Sequence, residues 1–174
     1  CPSGLSAASL ALLALVRSGD TVLMVDSVYG PVRHLADTLL KQLGVSTTYY
    51  DPSAGAGIAG LFGERTSVVY VESPGSLTFE MQDVPAIAAI AHERNALVIA
   101  DNTWATPLYF KPLAHGADVS LMAGTKYLGG HSDVNIGTVA ANAKAWRQLK
   151  ETHGSLGLTV GPDDIYLALR GLRT

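Results

Sequence analysis

The chain of 174 residues is long enough for one domain with a sizeable hydrophobic core. Hydrophobic residues make up 48% of it and charged residues 16%, which is typical of a globular domain with a deeply buried interior. Twelve Lys and Arg residues against fifteen Asp and Glu residues give a net charge of −3 without any basic tract, which argues against a nucleic-acid surface.

The longest apolar run, Leu10 to Val16, is too short to cross a bilayer and therefore predicts a core helix. The one cysteine cannot form an intrachain disulfide, so we expect a reducing, cytoplasmic location. Because the sequence starts abruptly at Cys1 inside an apparent motif, we also expect the true N-terminus to lie upstream.

Short runs rich in Val and Ile alternate with longer Ala- and Leu-rich stretches. In the first third of the chain they predict a helix over 4–17 stopped by Gly19, a strand at Thr21–Asp26, a helix at Val32–Leu43 ended by Gly44, and a strand at Thr47–Tyr50. A loop or frayed helix at Pro52–Gly60 is followed by a strand at Ser67–Val71, a helix at Val84–Arg94 capped by Asp83, and a strand at Leu97–Ala100. The last predicted elements are a helical turn at Pro112–His115, strands at Val119–Met122 and Ile136–Ala140, and a helix at Ala143–Thr152. Strands that are apolar on both faces and alternate with helices predict an α/β fold with a mostly parallel sheet covered on both sides.

Polar side chains follow four of these strands at their carboxyl ends, where open α/β sheets bind ligands. The four segments are Asp26-Ser27-Val28-Tyr29-Gly30, Glu72-Ser73-Pro74-Gly75-Ser76, Asp101-Asn102-Thr103-Trp104 and Ala123-Gly124-Thr125-Lys126-Tyr127. Acids, hydroxyls, a tyrosine and a lysine should therefore converge at one edge of the sheet.

Asp101 and Lys126 each have a functional and a structural interpretation. Asp101 could hold a protonated heterocyclic nitrogen, or it could simply cap a turn at the end of its strand. Lys126, directly after an apolar strand, would be partly desolvated, which favours the nucleophilic amine that condensation with a carbonyl requires. The alternative is an ordinary surface lysine, although the neighbouring Gly129 and Gly130 favour close approach of a ligand.

Ser3 and Gly4 open the first predicted helix, and such a helix start suits a phosphate unless Ser3 is only an N-cap. Tyr29 could lie flat on a ligand ring or could pack at the start of its helix. The sequence contains no Walker loop, no G-x-G-x-x-G fingerprint and no G-x-S-x-G nucleophile elbow. The five histidines show no metal-ligand spacing, so no metal site is predicted, and His131, although close to the predicted site, is expected to be structural.

The stretch Asp118-Val-Ser-Leu-Met-Ala-Gly-Thr-Lys126-Tyr-Leu-Gly-Gly-His-Ser132 closely resembles the lysine-site signature of the Cys/Met-metabolism PLP enzymes, the trans-sulfuration family. Colinear similarity covers the whole chain and includes Pro2-Ser-Gly-Leu-Ser-Ala7, Asp26-Ser-Val-Tyr-Gly30, Asp101-Asn-Thr-Trp104 and Arg170-Gly-Leu-Arg-Thr174. The resemblance implies the large domain of a PLP-dependent transferase-like, fold type I enzyme with pyridoxal 5′-phosphate as its cofactor.

The same resemblance assigns roles to particular positions. Lys126 is implied to hold the cofactor as a Schiff base, Asp101 to pair with its ring nitrogen and Tyr29 to stack on the ring, with Lys126 and Tyr29 as the expected catalytic residues. The implied phosphate ligands are the backbone amides of Gly4 and Leu5 and the Thr125 hydroxyl, at the helix start that Ser3 opens. Family members often carry Ser two residues before that threonine; here Ala123 stands instead.

Glu72-Ser-Pro-Gly-Ser-Leu-Thr-Phe-Glu80 resembles the cystathionine β-lyase branch of the family, with Ser76 where the γ-type enzymes place an Asn. This implies a carbon–sulfur lyase that splits L-cystathionine into homocysteine, pyruvate and ammonia. The open alternatives are a γ-synthase, γ-lyase or methionine γ-lyase, a non-catalytic PLP-binding regulatory module, and a nucleotide-binding α/β domain.

The resemblance also implies that residues 1–174 are a fragment, the PLP-binding large domain without its N-terminal arm and C-terminal small domain. The expected partners are a small thioether amino acid and further copies of the chain in a homo-oligomer with shared active sites, with no nucleic acid and no membrane.

Overall fold

Six strands form one sheet in a computed structural model that describes all of residues 1–174. In chain order they are β1 Thr21–Val25, β2 Ser46–Tyr50, β3 Thr66–Glu72, β4 Leu97–Asp101, β5 Val119–Ala123 and β6 Gly137–Ala141. They lie side by side in the order β2-β1-β3-β4-β5-β6. Five strands are parallel and β6 pairs antiparallel with β5, which confirms the mostly parallel α/β fold.

The α-helices are α1 Gly4–Leu15, α2 Gly30–Leu35, α3 Val84–Glu93, α4 Thr106–Tyr109, α5 Ala143–Ser155 and α6 Pro162–Gly171. A π-helical turn, Ala36–Leu40, extends α2, and 3₁₀ helices occupy Pro52–Leu61 and Pro112–His115. All the predicted strands and helices are present. Asp83 caps α3 as predicted, since its side chain accepts a hydrogen bond from the Ala86 amide.

Three details differ from the prediction. Helix α1 ends at Leu15 because Val16 is extended, and α2 begins two residues early because Pro31 fits the first turn of a helix. Helices α4 and α6 were not predicted. Only Ala168 and Gly171 of α6 are buried.

Helix α1 lies directly against the sheet because its inner face is built from small residues. Ala7, Ala8 and Ala11 are fully buried in the main core cluster together with strand residues such as Val22 and Val69. Glycine permits the closest approach, since a Cβ added at Gly137 would overlap the carbonyl oxygen of Ser3. The first turn of α1 is thereby held beside the end of β5.

A buried carboxylate, Asp118, ties the opposite end of the sheet together just before β5. It is 0% exposed and accepts hydrogen bonds from the Val98 amide at 2.9 Å and the Asn142 side-chain amide at 2.7 Å. The His92 Nε2 atom lies 2.8 Å from Asp118 Oδ2, the same oxygen that accepts from the Val98 amide. Asp118 thus joins α3, β4 and the start of α5. None of the helices combines the length and the apolar character needed to cross a membrane.

Candidate active site

A cavity of about 270 Å³ opens at the carboxyl ends of β3, β4 and β5, between the N-termini of α1 and α2. Its lining includes all seven residues that the sequence analysis singles out, namely Ser3, Gly4, Leu5, Tyr29, Asp101, Thr125 and Lys126. Glu72, Thr103 and Asn135 also line it. The parallel sheet explains this convergence, because its strands all deliver their carboxyl ends to one edge.

Asp101 ends β4 at the floor of the cavity and is 9% exposed. Its Oδ1 atom accepts hydrogen bonds from the Thr103 amide at 3.0 Å and the Thr103 hydroxyl at 2.5 Å, which is the turn-capping arrangement. Its Oδ2 atom has only the Tyr70 hydroxyl, at 3.4 Å. Burial raises the pKa of Asp101 against these hydrogen bonds and the nearby Lys126 charge, which lower it. One oxygen therefore caps the turn, and the other is weakly engaged.

Glu72 is a site residue to which the sequence analysis assigned no role. It ends β3 directly beside Asp101 in the parallel register and is 9% exposed. Its Oε2 atom accepts a hydrogen bond from the Tyr29 amide at 2.8 Å. Burial first, and the Asp101 charge second, raise its pKa to about 8. Its position directly after a predicted apolar strand, like that of Asp101, is the sequence feature that could have identified it as a site residue.

Lys126 and Tyr29 face each other across the mouth of the cavity. The Lys126 Nζ atom lies 5.2 Å from the centroid of the Tyr29 ring, within cation–π distance. The expected partial desolvation of Lys126 is wrong for this structure, since its side chain is exposed. The turn that follows β5 projects the lysine away from the sheet into the open mouth, where Tyr29 is also 40% exposed.

The start of α1 forms the far end of the cavity. Ser3 is the N-cap, and its hydroxyl accepts from the Ser6 amide at 3.0 Å in a capping box. The amides of Gly4 and Leu5 belong to the first turn of α1, where no intrahelical carbonyl is available to them. A Cβ added at Gly4 would lie 2.5 Å from the Cβ of Ala123, so a side chain there would displace this turn.

Thr125 and Asn135 complete the polar lining beside this helix start. The Thr125 hydroxyl accepts from the Ile136 amide at 3.0 Å and lies 3.0 Å from Asn135 Oδ1. Asn135 was missed because it precedes β6 rather than following a parallel strand.

The cavity therefore offers free helix-start amides and a hydroxyl at one end, a buried carboxylate at its floor, and a primary amine and an aromatic ring at its mouth. These groups suit, respectively, a phosphate, a protonated ring nitrogen, an aldehyde and a flat ring. Pyridoxal 5′-phosphate carries all four features in one molecule, so the residues present fit that cofactor.

The sequence profile of one family, described as Cys/Met metabolism PLP-dependent enzymes, matches residues 1–174. The chain belongs to this family. The family is PLP-dependent, and pyridoxal 5′-phosphate is accordingly the cofactor that this domain is built for.

Individual relatives agree with the family assignment. A candidate cystathionine beta-lyase of Rhizobium johnstonii is 58% identical over 99% of this chain and 44% of its own length. Cystathionine beta-lyase MetC of Escherichia coli is 44% identical over the same shares of the two chains, 99% and 44%. The L-alanine/L-glutamate racemase of Wolbachia pipientis is 42% identical over 99% of this chain and 42% of its own length.

A solved structure also matches the fold. The crystal structure of metB from Corynebacterium glutamicum superposes with a TM-score of 0.95 at 32% identity, over 99% of this chain and 45% of that one. The chain spans about half the length of the curated relatives that it matches.

Proposed function

We propose that the protein is a carbon–sulfur lyase that converts L-cystathionine and water into homocysteine, pyruvate and ammonia. The observation that carries the proposal is the convergence of Lys126, Asp101 and Tyr29 in one cavity of a PLP-family domain. Relatives that share 42% to 58% identity with almost the whole chain and are named cystathionine beta-lyases support this substrate.

Six of the residues that line the cavity have a proposed task toward the cofactor. Lys126 would hold it covalently, the Asp101 carboxylate would pair with the ring nitrogen, and the Tyr29 ring would pack against the cofactor ring. The Gly4 and Leu5 amides, at the N-terminal end of the α1 dipole, and the Thr125 hydroxyl hold the phosphate. The open position of Lys126 supports its task, because an exchanging amine must be reached by the incoming substrate.

The bound cofactor supplies an electron sink for the negative charge that develops at the substrate Cα. Asp101 maintains that sink, because a buried anion beside the ring nitrogen favours its protonated form. With the cofactor bound, Lys126 would be the base that takes the Cα proton. The Cβ–S bond would then break, the sulfur would leave with a proton as homocysteine, and water would convert the three-carbon remainder to pyruvate and ammonia.

The 73–82 loop supports the β-lyase branch over the γ-type enzymes. Its backbone is fixed by the hydrogen bond from the Ser76 amide to the Ser27 carbonyl at 2.8 Å and by the Gln82 side chain, which donates to the Glu72 carbonyl at 2.8 Å. A serine at position 76 offers a short hydroxyl where the γ-type pattern has an amide.

The decisive experiment is product analysis with purified protein and L-cystathionine. Pyruvate and homocysteine are expected, whereas 2-oxobutyrate with cysteine would identify a γ-lyase. Bound cofactor without turnover of any thioether amino acid would instead favour a non-catalytic PLP-binding module.

Amino-acid racemisation is a second candidate, favoured by the 42% identity to the Wolbachia racemase. Both reactions begin with removal of the Cα proton, so the same Lys126 base would serve. Incubating L-alanine in deuterated water and separating the enantiomers tests it: D-alanine carrying deuterium at Cα would establish this activity, and unchanged L-alanine would exclude it.

We further propose a cytoplasmic homo-oligomer. The lone cysteine supports a reducing location. An exposed aromatic cluster beside the cavity supports contact with a second copy. Trp104 packs edge-on against Phe79 at 6.1 Å and against Tyr127 at 6.5 Å between ring centroids, while all three side chains stay more than half exposed.

Light scattering of the purified protein should give a multiple of the chain mass. A Trp104→Glu variant should shift the mass towards the monomer, and a strictly monomeric wild-type protein would contradict the proposal.

A further inference from the structure

Glu72 and Asp101 stand side by side as the last residues of neighbouring parallel strands. Their Cα atoms are register partners, so both side chains leave the same face of the sheet and both line the cavity. Each residue is only 9% exposed. Two carboxylates this close in a poorly solvated place resist being charged together, and one proton tends to be shared between them.

The hydrogen bonds around the pair are unequal. Asp101 accepts from the Thr103 amide, the Thr103 hydroxyl and the Tyr70 hydroxyl, whereas Glu72 accepts only from the Tyr29 amide. Donors aimed at a carboxyl group stabilise its charged form. The negative charge is therefore better accommodated on Asp101, and the proton on Glu72.

The remaining charged neighbour is Lys126, which acts on both carboxyl groups. The other titratable group packed against the pair is the phenol of Tyr70, which is fully buried and held neutral. The positive charge of Lys126 and the single negative charge of the Glu72–Asp101 pair therefore give this part of the cavity a net charge of about zero.

We propose that Glu72 is a positioning residue that holds the proton of the Glu72–Asp101 pair, directs the single negative charge to Asp101, and fixes the backbone of Tyr29. The proposal rests on the proposed cofactor site. In that site Asp101 needs a full charge to pair with a protonated ring nitrogen, and a neutral Glu72 removes the competing carboxylate. The same carboxyl oxygen sets where the Tyr29 ring stands.

Infrared spectroscopy of the cofactor-free protein tests where the proton lies, without substrate or turnover. The wild-type protein should show a protonated-carboxyl C=O band at pH 6 that disappears with a midpoint near the Glu72 pKa of about 8. Glu72→Gln should lack the band. Asp101→Asn should keep it but lose it at lower pH, because the neighbouring charge is gone. Absence of the band in wild type, or its persistence in Glu72→Gln, would overturn the proposal.

Cofactor affinity, measured by equilibrium dialysis, tests the positioning of Tyr29. Glu72→Gln keeps a neutral oxygen acceptor for the Tyr29 amide and should bind pyridoxal 5′-phosphate as the wild type does. Glu72→Ala leaves that amide without its partner and should bind about tenfold more weakly. Equal weakening in both variants would mean that the charge of Glu72 matters, which contradicts a protonated role. Failure of the lyase assay alone would leave these measurements unaffected.

Discussion

At the scale of single residues, Lys126 combines an exposed side chain with a reactive task. Lys126→Ala should abolish pyruvate formation and the Schiff-base absorbance band of the bound cofactor, because no other amine faces Tyr29 across the cavity. Its far-ultraviolet circular dichroism should not change, since the side chain is exposed. Lys144→Ala, at another exposed position, on α5, is the control and should retain full turnover. Substantial turnover in the Lys126 variant without added amine would refute the assignment.

The substitution Asp101→Asn tests the charge of this side chain separately from its shape. Asp101→Asn can still accept from Thr103 through its remaining oxygen, so the turn after β4 should persist while the charge is lost. We expect turnover to fall by about three or more orders of magnitude, as at other sites where a buried carboxylate fixes the state of a ring. Steady-state kinetics measure this loss. A loss below about tenfold would reduce Asp101 to a turn residue.

At the scale of elements, the first turn of α1 is held against the end of β5 by the lack of a side chain at position 4. Gly4→Ala would place a Cβ 2.5 Å from the Cβ of Ala123 and push the helix start away. We expect cofactor affinity to fall at least about tenfold, because the proposed phosphate amides move with this turn. Gly57→Ala, where an added Cβ meets nothing within 4 Å, is the matched control. Equal affinities in the two variants would mean that this turn does not hold the phosphate.

The Asp118 junction should govern stability rather than chemistry, because it lies at the end of the sheet opposite the cavity. In the wild-type protein the Val98 amide, the His92 ring and the Asn142 side chain all contact a carboxylate oxygen of Asp118. In Asp118→Asn an NH₂ donor replaces one of these oxygens and faces at least one of the three groups. Breaking a buried charged network of this kind costs about 3–5 kcal/mol of unfolding free energy, which urea denaturation would detect. Asp163→Asn, on the exposed first turn of α6, should cost under about 1 kcal/mol. Similar losses in both variants would contradict the special role of Asp118.

At the scale of the whole molecule, the raised pKa of Glu72 links stability to pH. The folded protein retains this proton up to about pH 8, while an ordinary glutamate releases it near pH 4.5. The folded state thus binds the extra proton between these values, so this contribution is complete below about pH 4.5 and is lost as the pH rises through about 8. Urea midpoints of the cofactor-free protein should fall over that window more steeply in wild type than in Glu72→Gln. Parallel curves would contradict the raised pKa.

The sequence by itself determined the alternation of strands and helices and the class of the site. Apolar runs such as residues 68–71, alternating with helical stretches, indicate a covered parallel sheet, and that sheet gathers Asp101, Thr125 and Lys126 at one edge. The lysine-site stretch Asp118–Ser132 likewise fixed the family, because its pattern of residue types is specific to the cofactor chemistry.

The tertiary structure alone decided how the site residues act on one another. The register of β3 against β4 pairs Glu72 with Asp101, and the turn after β5 leaves Lys126 exposed where its strand context had suggested partial burial. Helix α6 likewise packs with only Ala168 and Gly171 buried, which depends on its tertiary neighbours. Register, exposure and electrostatic coupling depend on distances between segments far apart in the chain, and local patterns of residue type carry no such distances.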